Sequence, residues 1–295
     1  MSEYFNEAHS AEVVIERMQA CDDARFKAVM EATVRHLHAF VKEVEPSMEE
    51  WMQAIRFLTA VGQMCDDKRQ EWILASDTLG ISMLVETINN RTRNGSTEAT
   101  VLGPFHVAGA PWLEMGDNIC KDGKGEACVV AGVVTDTLDQ PIDGVVLDVW
   151  QTNGAGLYDV QQPHEQPAMN LRGRFVTGAD GAYRLRTVKP VSYPIPDDGP
   201  VGQMLARLKR HPYRPAHIHF ILEAPGYERV VTHFFAEGDA YLESDAVFGV
   251  KSSLIVPFTR SSDEETARAH GIEGPFWEVS FDFKLAKSEH PVVPA

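Results

Sequence analysis

Residues 214–222 read RPAHIHFIL, and the β-branched and aromatic run in this stretch follows a proline. Such a run predicts a β-strand from position 217 to position 222. Because alternate side chains of a strand point to the same face, His217 and His219 can both reach one metal ion. Two histidines on a solvated strand face would give the same pattern, so the pair alone leaves both interpretations open.

Further runs of the same kind lie on both sides of this strand, at residues 128–134, 145–150, 183–188, 229–235 and 279–285. Turn signals separate several of them, as at Asp143-Gly144, Asp180-Gly181 and Pro225-Gly226. Short strands at this spacing are typical of an antiparallel β-sandwich, which is the fold we expect here. Residues 201–209 interrupt the series with the pattern of a single short helix.

The first ninety or so residues have helical patterns instead. Apolar residues recur every three or four positions over residues 26–44, and Pro46 ends that helix. Ser47 and Glu50 form a capping box that opens a second helix, and residues 72–88 carry a third helical pattern. These apolar faces are wider than one small domain would bury, so we expect them to pack on the rest of the chain or on a second subunit.

The charge and cysteine content exclude several classes of protein. A formal net charge of −16, without a basic stripe, argues against nucleic acid and anionic lipid as partners. The N-terminus carries no targeting signature, and no run reaches the roughly 18 apolar residues of a membrane span. The four cysteines include no Cys-x-x-Cys pair, which argues against a disulfide framework and a thiolate zinc site. We therefore expect a cytoplasmic protein with reduced thiols.

The donors near the histidine pair restrict the kind of metal. No carboxylate or cysteine has the spacing of a facial iron(II) triad or a zinc site, which leaves tyrosine as the anionic donor. Tyr158 follows Gly-Leu, and Tyr193 precedes Pro-Ile-Pro, both in turn-rich segments. A free phenol has a pKa of about 10, but a trivalent cation makes phenolate the stable form. Two phenolates with one hydroxide would neutralise iron(III), and such a site binds hard oxygen donors such as catecholates.

Four segments then resemble the intradiol ring-cleavage dioxygenases: residues 103–105 (GPF), 156–158 (GLY), 193–194 (YP) and 214–219 (RPAHIH), in this order and spacing. The resemblance covers nearly the whole chain. It implies a mainly β fold with α: an antiparallel β-sandwich catalytic domain with the iron site at residues 101–295, and a helical linker and dimerisation domain at residues 1–100. The resemblance further implies a homodimer through the N-terminal helices and, in some family members, a phospholipid in an apolar tunnel.

Carried over to this sequence, the resemblance makes Tyr158, Tyr193, His217 and His219 the ligands of one iron(III) per chain. An aromatic diol would displace Tyr193 and chelate the metal as a dianion. Arg214 would stabilise the negative charge that develops in the bound substrate. We expect His233 to support this site without ligating the metal.

Other features resemble the hydroxyquinol-cleaving branch of the family, namely residues 150–152 (WQT), 158–161 (YDVQ) and 232–233 (TH). The resemblance implies cleavage of 1,2,4-trihydroxybenzene with O2 to 3-hydroxy-cis,cis-muconate. The resemblance also implies that the helical segment of Asp77 approaches the pocket mouth. A carboxylate there can accept a hydrogen bond from a third ring hydroxyl. Alternatively, Asp77 sits in the first turn of a helix, where a negative charge suits the helix dipole. The expected substrate-binding residues are Leu74, Asp77, Val101, Pro104, Phe105, Ile195, Pro196, Arg214, His233 and Val247.

Two alternatives stay open at this stage. Catechol or a chlorocatechol would be the substrate of a different branch of the same enzyme class. A metal-free β-sandwich binding module would explain the strands but not the spacing of the tyrosines and histidines. Iron(III) bound to tyrosinate is intensely coloured, whereas a binding module would be colourless.

Overall fold

The computed structural model describes residues 4–66, 69–91 and 95–288. Its contacts divide the chain into two compact units, with the boundary between Ala60 and Val61. No helix in the described ranges is long and apolar enough to cross a membrane.

The first unit is helical. It contains α1 (Ser10–Glu16), α2 (Ala24–Val44) and most of α3 (Met48–Gln63), which runs across the boundary. The predicted capping box is confirmed, because the N–H of Ser47 donates to Glu50 Oε2 at 2.8 Å and the N–H of Glu50 donates to Ser47 Oγ at 3.2 Å. Apolar side chains of α2 and α3 lie at the surface, among them Leu37 and Phe40, each 57% exposed.

The described residues of the second unit contain four complete α-helices: α4 (Glu71–Thr78), α5 (Ile81–Asn90), α6 (Pro200–Arg207) and α7 (Glu264–Ala269). The sequence pattern over residues 72–88 predicted one helix, but the helix is interrupted at Gly80. That residue has a φ of 74°, a left-handed conformation that glycine adopts without a steric penalty. The residues on either side of Gly80 therefore form two helices, α4 and α5.

The strands form two five-stranded sheets and one short ribbon. They are β1 (Ala127–Asp136), β2 (Val146–Trp150), β3 (Arg172–Val176), β4 (Ala182–Val188), β5 (Tyr193–Pro194), β6 (Tyr213–Arg214), β7 (His217–Glu223), β8 (Val230–Ala236), β9 (Ile255–Val256), β10 (Thr259–Ser261), β11 (Phe276–Ser280) and β12 (Phe283–Leu285). The first sheet has the order β10-β11-β1-β12, with β4 also paired to β1; the second has the order β3-β2-β7-β8-β9; and β5 pairs with β6.

The two sheets share one core and so make the predicted β-sandwich. Val130 and Leu185 from the first sheet pack in the same buried cluster as Leu147, Phe220 and Phe234 from the second. Most pairs are antiparallel, as expected, but β1 runs parallel to β11 and β12, and β8 runs parallel to β9. The core fixes β2, β7 and β8, which carry or adjoin the histidines.

Two details of the strands differ from the sequence prediction. The single run expected over residues 279–285 is two strands, because Asp282 leaves the ladder and its carboxylate accepts the N–H of Val133 at 2.9 Å. The edge strand β3 was not predicted, since its Arg-Gly-Arg start reads as polar. Gly173 is required there, because a Cβ would lie 2.7 Å from the side chain of Leu113.

Helix α4 is hydrogen-bonded at both ends to other parts of the second unit. At its start, Glu71 Oε1 accepts the N–H of Val201, at the N-terminus of α6, at 3.1 Å. This carboxylate satisfies a backbone donor that has no partner within α6. At its end, the Arg210 guanidinium donates to the carbonyl of Thr78 at 2.6 Å and to that of Ala246 at 3.0 Å.

Candidate metal centre

Tyr158 lies on a loop and Tyr193 on the short strand β5, and these two segments approach each other closely. The side chain of Asn153 accepts two backbone N–H bonds in the loop, at 2.9 and 3.2 Å, and so fixes the turn before Tyr158. Gly156 in that turn has a φ of 80°, and a Cβ there would lie 2.8 Å from the Cβ of Tyr193. The Gly-Leu-Tyr motif thus has a steric reason, because only glycine permits this approach.

His217 and His219 point to the same face of β7, as the alternation predicted, and both are buried. The ring of Trp150, on the paired strand β2, stacks on His219 with a centroid distance of 4.6 Å and an interplanar angle of 11°. Phe105 stacks on Tyr158 in the same way, at 4.6 Å. Aromatic neighbours therefore orient one histidine and one tyrosine.

The four side chains converge on one point. The hydroxyl oxygens of Tyr158 and Tyr193 are 3.1 Å apart, and the hydroxyl of Tyr193 lies 3.4 Å from His217 Nε2. The Nε2 atoms of His217 and His219 are 3.1 Å apart. Two phenol oxygens and two imidazole nitrogens thus form one continuous cluster of possible ligand atoms.

The imidazoles are ready to act as neutral donors. His217 Nδ1 lies 2.7 Å from the carbonyl of Pro215 and donates to it, which leaves the Nε2 lone pair facing the cluster. Burial, with a further contribution from the Arg214 charge, lowers the pKa of His217 well below its ordinary value. Burial also lowers the pKa of His219, with the neighbouring His233 as the next cause.

The phenols require a cation to ionise. Burial raises the pKa of Tyr158 well above the ordinary phenol value, and the adjacent Tyr193 raises it further. Burial likewise raises the pKa of Tyr193, although the Arg214 charge opposes this. A buried cation would convert both to phenolates, and the protein would release protons as it binds. Two oxygen donors that can become anionic, with two neutral nitrogens, fit a hard, highly charged metal ion.

His233 lies close enough to be considered as a third histidine ligand. Its nitrogens and those of His217 and His219 all lie within 4.8 Å of one another. However, Arg214 NH2 donates to His233 Nε2 at 3.0 Å, and Thr100 Oγ1 is bonded to Nδ1. Both of its ring nitrogens therefore have partners other than the tyrosine hydroxyls. Arg214 NH1 also lies 3.2 Å from His217 Nε2, so the contact with the guanidinium does not by itself distinguish the two histidines. That His233 supports the site without ligating the metal stays a prediction.

A cavity adjoins the cluster, and the expected pocket residues line it with one exception. Its walls are Leu74, Asp77, Val101, Gly103, Pro104, Phe105, Tyr193, Ile195, Pro196, Arg214, His219 and Val247. His233 is the exception, because its ring lies behind Arg214 and does not reach the cavity. The mostly apolar walls, with one carboxylate and one guanidinium, suit a flat ring that carries hydroxyl groups.

Asp77 is buried in the cavity wall, near the end of α4. The alternative explanation that it sits in a first helical turn is therefore wrong, and the helix dipole opposes a negative charge at this position. Burial raises the pKa of Asp77, while a hydrogen bond from Ser82 and the charge of Arg214 partly offset the effect. Because burial disfavours the charged form of Asp77, its position in the cavity wall suggests a role beyond folding.

Two buried ion pairs were missed in the sequence. Arg214 pairs with Asp245, at 3.2 Å between Nε and Oδ1, and Arg172 pairs with Asp159, at 2.6 Å between NH2 and Oδ1. The second pair fixes the residue that follows Tyr158. Neither pair has a local sequence signal, because the partners come from segments that only the folded chain brings together.

Comparison with known proteins agrees with this geometry. Residues 102–287 match the family model described as dioxygenase, and residues 23–97 match the one described as catechol dioxygenase N terminus. The chain belongs to the intradiol ring-cleavage dioxygenase family.

This intradiol dioxygenase is 57% identical to a hydroxyquinol 1,2-dioxygenase of Rhizobium sp. over 285 residues, which cover 96% of the chain and 97% of that relative. Its identity to a catechol 1,2-dioxygenase of Candida albicans is 36%, over 89% of the chain and 86% of that relative. The solved structure of a hydroxyquinol 1,2-dioxygenase from Pseudomonas putida superposes with a TM-score of 0.89 at 46% identity, over 96% of this chain and 99% of that one.

Proposed function

We propose that this intradiol dioxygenase cleaves hydroxyquinol with O2 between carbons 1 and 2, giving 3-hydroxy-cis,cis-muconate, the enol form of maleylacetate. The observation that carries the choice of substrate is Asp77, a buried carboxylate in the cavity wall. The third hydroxyl of hydroxyquinol can donate a hydrogen bond to it, whereas catechol would leave this acceptor unpaired. The similarity to hydroxyquinol-cleaving relatives over nearly the whole chain supports the same choice.

The proposal includes one iron(III) per chain, held by Tyr158, Tyr193, His217 and His219. The convergence of two phenol oxygens and two neutral imidazole nitrogens supports it. When bound, iron(III) would hold the diol as a chelate and make its ring reactive toward O2.

The residues of the chain have separate tasks in this reaction. Tyr193 lines the cavity, and as the ligand that the diol displaces it would accept a diol proton at its hydroxyl oxygen. Because burial raises the pKa of this phenol, the released phenolate is a strong base. Arg214 also lines the cavity, and its fixed positive charge would stabilise the negative charge that moves into the ring. The apolar walls exclude water from the reacting atoms.

The partner we propose is a second copy of the chain, bound through the helices of residues 1–100, while residues 101–295 form the catalytic domain. The exposed apolar side chains of α2 and α3 support this, since α2 buries none of its residues in the monomer.

A phospholipid bound at that interface is the remaining part of the proposal. Organic extraction of the purified protein followed by mass spectrometry tests it, and a lipid-free extract would remove that part.

The experiment that tests the substrate compares hydroxyquinol, catechol and 4-chlorocatechol as substrates of the iron-loaded protein. Initial rates of O2 uptake give kcat/KM for each, after subtraction of the enzyme-free oxidation of hydroxyquinol. We expect the highest kcat/KM for hydroxyquinol and an absorbance change that corresponds to the muconate product. A higher kcat/KM for catechol or 4-chlorocatechol would overturn the substrate, and a colourless protein that turns over none of the three would overturn the enzyme assignment.

A further inference from the structure

The guanidinium of Arg214 is held on one edge by a residue that does not line the cavity. Asp245 binds it with both carboxylate oxygens, Oδ1 at 3.2 Å from Nε and Oδ2 at 3.4 Å from NH2. NH2 also donates to His233 Nε2 at 3.0 Å. NH1 is left facing the cluster, 3.2 Å from His217 Nε2. Asp245 and His233 therefore hold the guanidinium so that NH1 faces the reacting groups.

The same carboxylate organises the turn that supplies a cavity wall. Its Oδ1 accepts the N–H of Val247 at 3.3 Å, and its Oδ2 accepts the N–H of Gly249 at 2.9 Å. Val247 lines the cavity, so one side chain fixes both a charged group and an apolar wall. The N–H of Ala246 donates to the carbonyl of Tyr213, beside Arg214, at 3.1 Å, which ties the turn to β6.

Gly249 shows how tightly this turn fits against the ion pair. A Cβ at this position would lie 3.0 Å from Arg214 NH2 and 3.1 Å from Asp245 Oδ2. A side chain there would push the guanidinium or the carboxylate away by a few tenths of an ångström. The turn thus leaves no spare space for the pair to change its geometry.

The charge balance also depends on Asp245. Arg214 is buried, and burial alone would lower its pKa, but the adjacent Asp245, together with Tyr193 and Tyr158, raises it. Without the carboxylate, a buried cation would have no partner of opposite charge in direct contact, and the side chain would seek another position.

We propose that Asp245 is a positioning residue of the ring-cleavage reaction, which orients the Arg214 guanidinium toward the substrate and sets the Val247 wall. This rests on the function proposed above. Asp245 makes no hydrogen bond to the four proposed ligands in the described part of the chain, so its effect should appear in turnover and not in metal binding.

The test is Asp245→Asn in the iron-loaded protein, alone and combined with Arg214→Ala. A misplacement of about 1 Å costs about 100-fold in rate, so we expect kcat to fall about 10- to 100-fold, with less change in KM. Iron content and the visible charge-transfer band should stay at the wild-type level. In the Arg214→Ala background the same substitution should change kcat by less than about twofold, because its effect on kcat passes through the guanidinium, whereas an effect through the Val247 wall should appear in KM.

The matched control is Asp136→Asn, at the last residue of β1. Asp136 is also buried, and its Oδ1 also accepts two backbone bonds, from Leu138 at 2.8 Å and Gln140 at 3.0 Å. We expect it to lose stability as Asp245→Asn does, but to keep kcat. Equal kcat losses in both variants, or an undiminished effect in the Arg214→Ala background, would overturn the inference.

A second variant covers the case in which Asp245→Asn does not fold. Gly249→Ala keeps every charge and pushes on the ion pair, so we expect a smaller loss of kcat with iron retained; an unchanged kcat would count against the inference.

A failure of the proposed substrate can be distinguished from a failure of the role proposed for Asp245. If the wild type prefers catechol, the proposed substrate fails while the Asp245 variants, assayed on catechol, still test the positioning role.

Discussion

The substitution Asp77→Asn removes the negative charge of the side chain and leaves its shape almost unchanged. It therefore tests whether Asp77 contacts the substrate or only supports the fold. In the wild type the carboxyl is buried in the cavity wall. A hydrogen bond to a charged group contributes about 1.5–3 kcal/mol, and each 1.4 kcal/mol corresponds to a factor of about ten. The ratio of kcat/KM for hydroxyquinol to that for catechol should therefore fall about 10- to 150-fold in the variant.

The assay is a competition in which both substrates are present in one reaction and the two products are separated. The product ratio gives the ratio of the two kcat/KM values directly, so it does not depend on how much of each preparation contains iron. An unchanged ratio in Asp77→Asn would refute the role of Asp77, although the substrate itself could still be hydroxyquinol.

The same variant makes a prediction about stability and pH. Because burial raises the pKa of Asp77 above its ordinary value of 3.8, the unfolded chain loses the proton first as the pH rises. The wild type should therefore lose stability relative to Asp77→Asn as the pH rises from about 4 toward the folded-state pKa, while below about 4 the difference should be constant. Urea unfolding of both proteins across this range measures the difference, and a wild type that gains stability relative to Asp77→Asn as the pH rises would contradict the sign.

Three further predictions follow from the site and the helices. Tyr158→Phe should bleach or strongly shift the visible charge-transfer band, since one phenolate is lost; a wild-type spectrum in the variant would rule out Tyr158 as a ligand. Arg214→Ala should keep its iron while kcat falls about 100- to 1000-fold, and it should lose about 3–5 kcal/mol of stability because Asp245 is left buried without its cation. Sedimentation of the wild type at micromolar concentration should give the mass of a dimer, against the 32.8 kDa of one chain.

Local patterns in the sequence were sufficient to predict the elements that carry the chemistry. The two-residue period of a strand placed His217 and His219 on one face, and the capping box at Ser47 correctly marked the start of α3. Such features depend only on neighbours in the chain. Where tertiary contacts decide the outcome, the prediction failed: the break at Gly80 and the divided run over residues 279–285 are examples.

The polar network behind the cavity could not be read from the sequence at all. Arg214 and Asp245 meet across 31 positions of sequence, and neither stands in a pattern that names the other. The position of His233 shows the same limit. Its strand and its neighbourhood were predicted, but only the fold shows that its ring contacts Arg214 and is not among the residues that line the cavity.

Because α4 is attached at Glu71 and at Thr78, the choice of substrate can change without a change in metal binding. Leu74 and Asp77 face the cavity from this helix, whereas both of its fastenings lie outside the cluster of tyrosines and histidines. Exchanging the inward side chains would leave the fastenings and the metal-binding atoms in place. Substitutions at these positions can thus change which aromatic ring binds while the metal-binding residues stay the same. A library randomised at these two positions alone should contain variants that favour catechol yet keep the wild-type iron content.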